Sequence, residues 1–400
     1  MKIVCVGGGP GALYFAISMK VRDAGHDITV LERDPRGSTY GWGVVYWDDL
    51  LDLLYGNDPE SARAIRAVST LWRDQEVRLN GEDIAHLGGY GYSAGRSALL
   101  EVLARRAEDL DVEVQHDHEV VDLSAFPEAD LVVACDGANS KIRQTHAHAL
   151  GTRVRTGRNP YIWLGTDRVF DTFTFDFEET PAGWIWFHAY PSGEGISTCI
   201  VECTKRTWRE LEFDTRDDDD SLRLLEKIFY HALDGHSLIS RTRGDAARWL
   251  RFTDISNTTW YHDNVVLLGD AAHTTHFTIG SGTRLAMIDA MALAEYIYDE
   301  ETLSRALAHY DQDRRRSLRR SQASARTSMA WFEHMDRHIH PQTATALAYA
   351  MTSRGGANTP WSYQLFRATQ MPAVRKVQRR LDDAGRWLGV RRRGESLTWS

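Results

Sequence analysis

Apolar and polar positions change period several times along the chain. Lys2–Val6 is an unbroken apolar, β-branched run and reads as a buried strand. Residues 7–11 interrupt it with glycine, residues 13–22 carry apolar side chains at helical spacing, and residues 27–32 return to strand character. The opening therefore reads strand, glycine turn, helix, strand. Gly-rich loops bearing Trp42 and Trp47 follow, then a helical stretch at 59–74 and an amphipathic helix at 97–108. Residues 131–135 form a short, fully apolar strand closed by Asp136-Gly137. From Tyr161 to Glu202 the pattern alternates. Residues 172–177, 184–190 and 197–202 are strand-like with no helix between them, the pattern of an antiparallel sheet. The acidic run at 216–220 reads as a solvated loop before a helix at 221–233. A buried strand recurs at 265–268, Gly269-Asp270 turns the chain, and a long helix runs from Gly282 to about Tyr298. The rest is helical and polar.

Strand–turn–helix pieces near both ends, with alternating strands between them, predict a discontinuous α/β unit. The expected fold is α/β: a Rossmann-like nucleotide-binding domain, an inserted antiparallel β-sheet domain for substrate and a C-terminal helical region. The divisions fall at 1–155 for the first part of the nucleotide domain and 156–255 for the sheet. Its second part and long helices take 256–335, and the helical region takes 336–400. A plain dehydrogenase usually keeps its dinucleotide unit in one block.

Composition narrows the class. The chain has 400 residues, 42% apolar and 26% charged, which is ordinary for a globular protein with more than one core. The net charge of −9 gives no global attraction for nucleic acid or an anionic membrane. No leader-like apolar region opens the chain and no run reaches spanning length, so a cytoplasmic protein is expected. Cys5, Cys135, Cys199 and Cys203 sit in strand-like runs and read as reduced core thiols. The 13 Trp, 15 Tyr and 13 Phe cluster partly between Tyr161 and Tyr190, which suits a flat aromatic ligand as well as an aromatic core.

Gly7-Gly8-Gly9-Pro10-Gly11-Ala12 follows a strand and opens a helix. Missing Cβ atoms let the backbone turn tightly and approach a pyrophosphate at the helix N-terminus, where amides and dipole favour negative charge. Glu32, followed by Arg33, ends the second strand where the dinucleotide fingerprint expects an acid for a ribose hydroxyl. This much does not distinguish FAD from NAD.

Two later motifs do. Asp136-Gly137-Ala138-Asn139-Ser140-Lys141-Ile142-Arg143 fits D-G-x-x-S-x-x-R, and Gly269-Asp270-Ala271-Ala272-His273 leads to the glycine loop Gly280-Ser281-Gly282-Thr283. Together with the first turn they resemble the flavin-dependent aromatic hydroxylases of the p-hydroxybenzoate hydroxylase fold. The resemblance implies bound FAD, with NADPH or NADH and O2 as co-substrates. A flavin C4a-hydroperoxide would then carry oxygen to an electron-rich ring. It implies that Asp270 bonds the ribityl chain and that Gly280, Ser281, Gly282 and Thr283 face the flavin pyrimidine. The Asp136 segment would shape a groove shared with a transient nicotinamide near Arg143, and Arg96 would stand near the FAD phosphates. Gly41-Trp42-Gly43-Val44-Val45, the segment from Arg158 to Thr166, Ile200-Val201-Glu202-Cys203 and His276-Phe277-Thr278-Ile279 are similar to one branch. That branch holds 2-aminobenzoyl-CoA monooxygenases, salicylyl-CoA hydroxylases and the tryptophan hydroxylase of violacein formation. It implies a small aromatic substrate, with a CoA or carrier-protein thioester favoured over free tryptophan or an indole. A flavin oxidase or dehydrogenase without oxygen insertion is the alternative reaction class.

Trp42, Tyr161, Trp163, Trp186, His276 and Phe277 are the expected pocket residues, and His188, Tyr190 and His273 the expected orienting or proton-accepting groups. In a strand at 184–190, Trp186, His188 and Tyr190 share one face. His334, His338 and His340 lack a carboxylate motif, so no metal is expected. The basic run at 314–320 reads as a solvated helix face, or less directly as a site for the phosphates of a carrier arm.

Overall fold

The computed structural model describes residues 1–38, 41–81, 83–193, 195–241, 246–339, 343–354 and 360–395. Lys2–Val6 is nearly all buried, and it pairs in parallel with Asp27–Leu31 on one side and Leu131–Ala134 on the other. Strands covered on both faces read as continuous apolar runs, which is the pattern seen here. Six strands make this sheet, in the order Tyr261–His262, Val265–Leu267, Leu131–Ala134, Lys2–Val6, Asp27–Leu31, Glu113–Gln115. The strand Val265–Leu267, from late in the chain, lies parallel to Leu131–Ala134. The α/β unit is therefore assembled from distant parts of the sequence. The helix Pro10–Arg22 is buried from Pro10 to Lys20, as an apolar-all-round helix must be. It packs against Arg96–Asp109 and Gly282–Asp299. A Cβ on Gly11 would lie 2.5 Å from Leu268 Cδ2 and 3.4 Å from Ala286 Cβ. A Cβ on Gly269 would lie 3.0 Å from the same Ala286 methyl.

The second sheet has eight strands. Its spine runs Leu238–Ile239, Arg153–Thr166, Ile196–Cys203, Gly183–Gly193, Phe173–Thr180, Gln75–Leu79, Asp83–His86, and Leu250–Ser256 also pairs with Arg153–Thr166. It is not purely antiparallel: Phe173–Thr180 runs parallel to Gln75–Leu79. One face packs Phe187 and Val201 onto Leu225 and Phe229 of the helical segment that follows. The other packs Phe177 and Trp186 onto Phe332, Met335 and Met351.

The expected helix at 59–74 is half right. Asp58 caps Pro59–Ala67 by accepting from Glu60 and Ser61 N–H, but the helix stops there. Ser69–Arg73 is instead a strand, paired antiparallel with Tyr90–Gly95 in a small sheet that also holds Gly43–Tyr46. Neighbouring strands override the local pattern. The helix expected at 221–233 begins earlier, as Asp218–Ile228. Asp217 caps it, and Asp218, Asp219 and Asp220 complement the dipole of its first turn. No helix among the described residues is long and apolar enough to cross a membrane.

Candidate active site

The turn after the first strand opens a cavity of about 330 Å³, walled by Gly7, Gly9, Glu32, Arg33, Arg96 and Asp136 among others. Gly7 has φ +99°, and a Cβ there would stand 2.5 Å from the Cys135 carbonyl oxygen. Gly8 N–H donates to Glu32 Oε2 at 2.6 Å, and Asp34 N–H donates to Oε1 at 2.9 Å, so two amides fix this carboxylate. Gly9 has nothing within 4 Å of its Cβ position and leaves the helix N-terminus open to the cavity. Pro10, Gly11 and Ala12 lie inside the helix and serve its packing rather than the cavity wall.

Asp136 Oδ2 accepts Lys141 N–H at 2.8 Å, while Oδ1 is buried with no partner among the described residues. Ser140 caps the short helix Lys141–Thr145 by accepting from Arg143 N–H. Arg143 donates to Ala138 O at 2.6 Å and Ala271 O at 3.1 Å. It is buried, so it ties two turns together and is not free to meet a nicotinamide.

A second cavity, of about 400 Å³, lies between the eight-stranded sheet and the loop at 280–283. Arg96 and Asn139 belong to the walls of both cavities. Arg96 opens its helix, and among the described residues its guanidinium has no hydrogen-bond or ion-pair partner. Burial pulls its pKa down, against the pull of Asp270. Asp270, Gly280, Ser281, Gly282 and Thr283 form one wall. Burial pushes the Asp270 carboxyl up, opposed by His273 and Arg96. Gly280 takes φ +59°, and a Cβ on it would meet Val45 Cγ2 at 2.8 Å, so the loop is pressed onto the Gly43–Tyr46 strand.

Tyr161, Trp163, Phe173, His188 and Tyr190 supply the aromatic wall. The His188 ring lies between Phe173, at 5.9 Å and 8°, and Phe277, at 5.6 Å and 26°. Its Nδ1 is buried without a partner among the described residues. Burial, and then Arg354, push its pKa down to about 3, so the imidazole is neutral at pH 7. Tyr190 Oη donates to Gly43 O at 2.9 Å, and burial pushes the phenol well up. Its hydroxyl proton is already engaged.

Other expected residues lie elsewhere. His273 does not reach the cavity: its Nε2 is 2.7 Å from Asp289 and its ring stacks on Trp260 at 4.9 Å. Burial alone would raise the Asp289 pKa, but His273 and Arg314 hold it below the usual value. That also removes Arg314 from the solvated face expected of the 314–320 run, since it is buried and donates to Asp289 at 2.9 Å. Trp186 shares a face with His188 but lies further along the strand, stacked on Phe332 at 5.7 Å and donating to Glu202. Trp42 packs its ring over Gly165, while its carbonyl accepts Arg96 N–H at 2.9 Å. His276 sits behind Phe277, with Nδ1 2.9 Å from Thr278 Oγ1. His334 lies beside the Ala330 carbonyl and His338 stacks on Trp331, while His340 is outside the described residues. Among the wall residues that escaped the sequence reading are Phe173 and Asn139. The alternation Phe173, Phe175, Phe177 was the available signal for the first, and the variable position of the Asp136 motif for the second.

FAD can be tested against these features. An open amide edge at Gly9, a fixed carboxylate at Glu32, an orphaned oxygen on Asp136 and an Arg96 without a partner among the described residues, in the walls of two adjacent cavities, fit an elongated dinucleotide.

Comparison with known proteins agrees. A family model described as an FAD binding domain matches residues 127–325. Salicyloyl-CoA 5-hydroxylase from a Streptomyces species is 37% identical over 365 residues, covering 88% of this chain and 70% of that protein. The 3-hydroxy-4-methyl-anthranilyl-[aryl-carrier protein] 5-monooxygenase of Streptosporangium sibiricum is 36% identical over 335 residues, covering 84% and 90%. Among solved structures, 2-methyl-3-hydroxypyridine-5-carboxylic acid oxygenase superposes with a TM-score of 0.69 at 20% identity, covering 88% of this chain and 97% of that one. At that identity the likeness speaks for the fold.

Proposed function

This chain belongs to the FAD-binding aromatic monooxygenases, and from that premise we propose that it hydroxylates the ring of an aminobenzoyl or hydroxybenzoyl thioester. The net reaction consumes the aromatic substrate, O2, NAD(P)H and a proton, and yields the hydroxylated ring, water and NAD(P)⁺. When bound, FAD would supply the redox chemistry that couples NAD(P)H and O2 to oxygen insertion.

The protein's own residues do the rest. The open turn at Gly9 and the guanidinium of Arg96 bind phosphate, Glu32 takes a ribose hydroxyl, and Asp270 takes the ribityl chain. The backbone of 280–283, which walls the chamber, would hold the flavin ring. The sheet wall excludes water from the reacting centre and holds the substrate ring flat. Neutral His188 offers a ring nitrogen as an acceptor to the ring's amino or hydroxyl proton, which orients the ring and enriches it in electron density. Tyr190, with its proton engaged by Gly43, acts as a fixed wall.

The observation that carries this reading is the aromatic-walled cavity beside the glycine-turn cavity, with Arg96 and Asn139 in the walls of both. The thioester preference rests on the substrates named for two relatives. The test compares anthraniloyl-CoA, free anthranilate and tryptophan with FAD-loaded protein, reading NADPH consumption and product mass. Gain of one oxygen, coupled to NADPH only for the thioester, is the expected result. Rapid NADPH oxidation with no oxygenated product from any of these rings would sink the proposal.

A further inference from the structure

The C-terminal helix Pro372–Arg393 closes a third cavity, of about 480 Å³, whose wall includes Arg375, Arg379, Asp382 and Arg386. The spacing i, i+4, i+7, i+11 puts them on one helix face. Facing them are Arg73, Asp74, His86 and the segment Asp171-Thr172. Positive and negative side chains are equally numerous in this wall, and its two carboxylates without an ion pair, Asp171 and Asp382, are exposed or held by a backbone amide. Asp74 lies 3.0 Å from His86 Nδ1 and accepts from Arg379 at 3.2 Å. Asp383 pairs with Arg73 at 3.7 Å, and Asp382 accepts Gly89 N–H at 3.2 Å. Asp171 is exposed to solvent.

Arg375 and Arg386 are left over. Among the described residues neither has a carboxylate at ion-pair distance, and the Nε of each is buried with no acceptor. Arg386 is only 7% exposed. A buried guanidinium without a counter-charge is costly, and its fork of donors matches the oxygens of a phosphate.

The place of this cavity in the fold supplies the second half of the argument. Asp171 and Thr172 wall it, and the next residue, Phe173, walls the aromatic chamber. The two spaces lie on either side of one short segment. CoA thioesters and carrier-protein thioesters share a 4′-phosphopantetheine arm, which puts a phosphate at a distance from the acyl group. We propose that Arg375 and Arg386 bind the phosphate of this arm while the aromatic ring occupies the chamber beside His188. The proposal rests on the thioester reading above.

The test uses FAD-loaded full-length protein with R375Q, R386Q and the double variant, each checked for an unchanged flavin spectrum and thermal midpoint. Calorimetry measures binding of 4′-phosphopantetheine and of CoA, and kinetics compares anthraniloyl-CoA with the anthraniloyl thioester of N-acetylcysteamine, which has no phosphate. Each substitution should weaken both phosphate-bearing probes by about tenfold or more, the scale of one hydrogen bond to a charged group. KM for anthraniloyl-CoA should rise in step, while KM for the N-acetylcysteamine thioester and kcat for both stay unchanged. Should R386Q not fold, the half-buried Arg375 carries the test through R375Q. Competition by adenosine 3′,5′-bisphosphate would make CoA the source of the arm. Its failure to compete, with phosphopantetheine still bound, would make a carrier protein the source, and either result supports the site. The proposal is overturned if wild-type protein binds neither probe, if the variants bind phosphopantetheine normally, or if both thioesters lose equally. Phosphopantetheine binding is read without turnover, so failure of hydroxylation leaves this result standing. Hydroxylation of the N-acetylcysteamine thioester would survive failure of the site.

Discussion

The glycine-turn cavity and the aromatic chamber are neighbours built by opposite means. The first is shaped by backbone. Gly7, Gly8 and Gly9 are consecutive, and Glu32 is locked to this turn by an amide. The second is shaped by side chains drawn from several strands and a loop, with Tyr161, Phe173, His188 and Thr283 all in one wall system. A backbone-built site has little slack, because a single Cβ occupies the place of a carbonyl. A side-chain-built site is graded, because one ring can change while its neighbours keep the shape.

The largest effect should therefore come from the smallest change. Gly7→Ala places a methyl 2.5 Å from a carbonyl oxygen at φ +99°. Strain and clash together cost roughly 3 kcal/mol, about a hundredfold in FAD affinity, read by flavin titration of the apoprotein. FAD affinity within threefold of wild type would break the contrast. His188→Phe probes the other region. It keeps the stack with Phe173 and Phe277 but loses the acceptor, so kcat/KM should fall about tenfold, the worth of one hydrogen bond. FAD affinity should not move. A parallel loss of FAD would mean that the two regions are not separable.

The smallest effect concerns the sheet that carries the chamber. Asp176 alternates with Phe175 and Phe177, is fully buried, and has no hydrogen-bond partner for either carboxylate oxygen among the described residues. Burial, and then Glu178, push its pKa up to about 8, against Arg78. The folded value exceeds the unfolded one of about 3.9. The stability tied to its proton is thus complete below about pH 4 and is lost as pH rises through 8. Between pH 5 and 8.5 the thermal midpoint of wild type should fall further than that of Asp176→Asn, by at least about 2 °C. Equal pH slopes for the two proteins would remove this difference between sheet and cleft.

The same contrast explains what could be read in the sequence. The parallel sheet was legible because its strands are buried on both faces, and the glycine turn because its chemistry is contiguous. The long alternating strands were legible too. The strands at 69–95 were not. They are short, and their partners are set by tertiary pairing that leaves no periodic trace. Alternation gave the right face for Trp186 but not its distance along the strand. Two residues further from Tyr190 than His188, it meets Phe332 from a distant helix and leaves the chamber. His273 is three residues from Asp270, yet its ring is held by Asp289 and Trp260 and does not wall the chamber. Arg314 looked like one member of a solvated basic run. Only the fold reveals Asp289, 25 residues earlier, as its partner. The third cavity joins residues around 73 and 171 to a helix near the C-terminus, and no local pattern could have announced it.

Ala286 carries a historical consequence. Its methyl stands 3.4 Å from where Gly11 would grow a side chain and 3.0 Å from where Gly269 would. Two of the three positions already hold the smallest residue there is, and the third holds the next smallest. Gly11 cannot enlarge because Leu268 Cδ2 stands 2.5 Å from its Cβ position, and Gly269 is barred by the Ala286 methyl and by its own φ of +63°. A descendant lineage could exchange chamber walls, sheet faces or the C-terminal helix one residue at a time, and so drift toward new rings or new carriers. The gap between the two turns would pass down unaltered, so descendants that took up new substrates would still be tied to the ancestral cofactor.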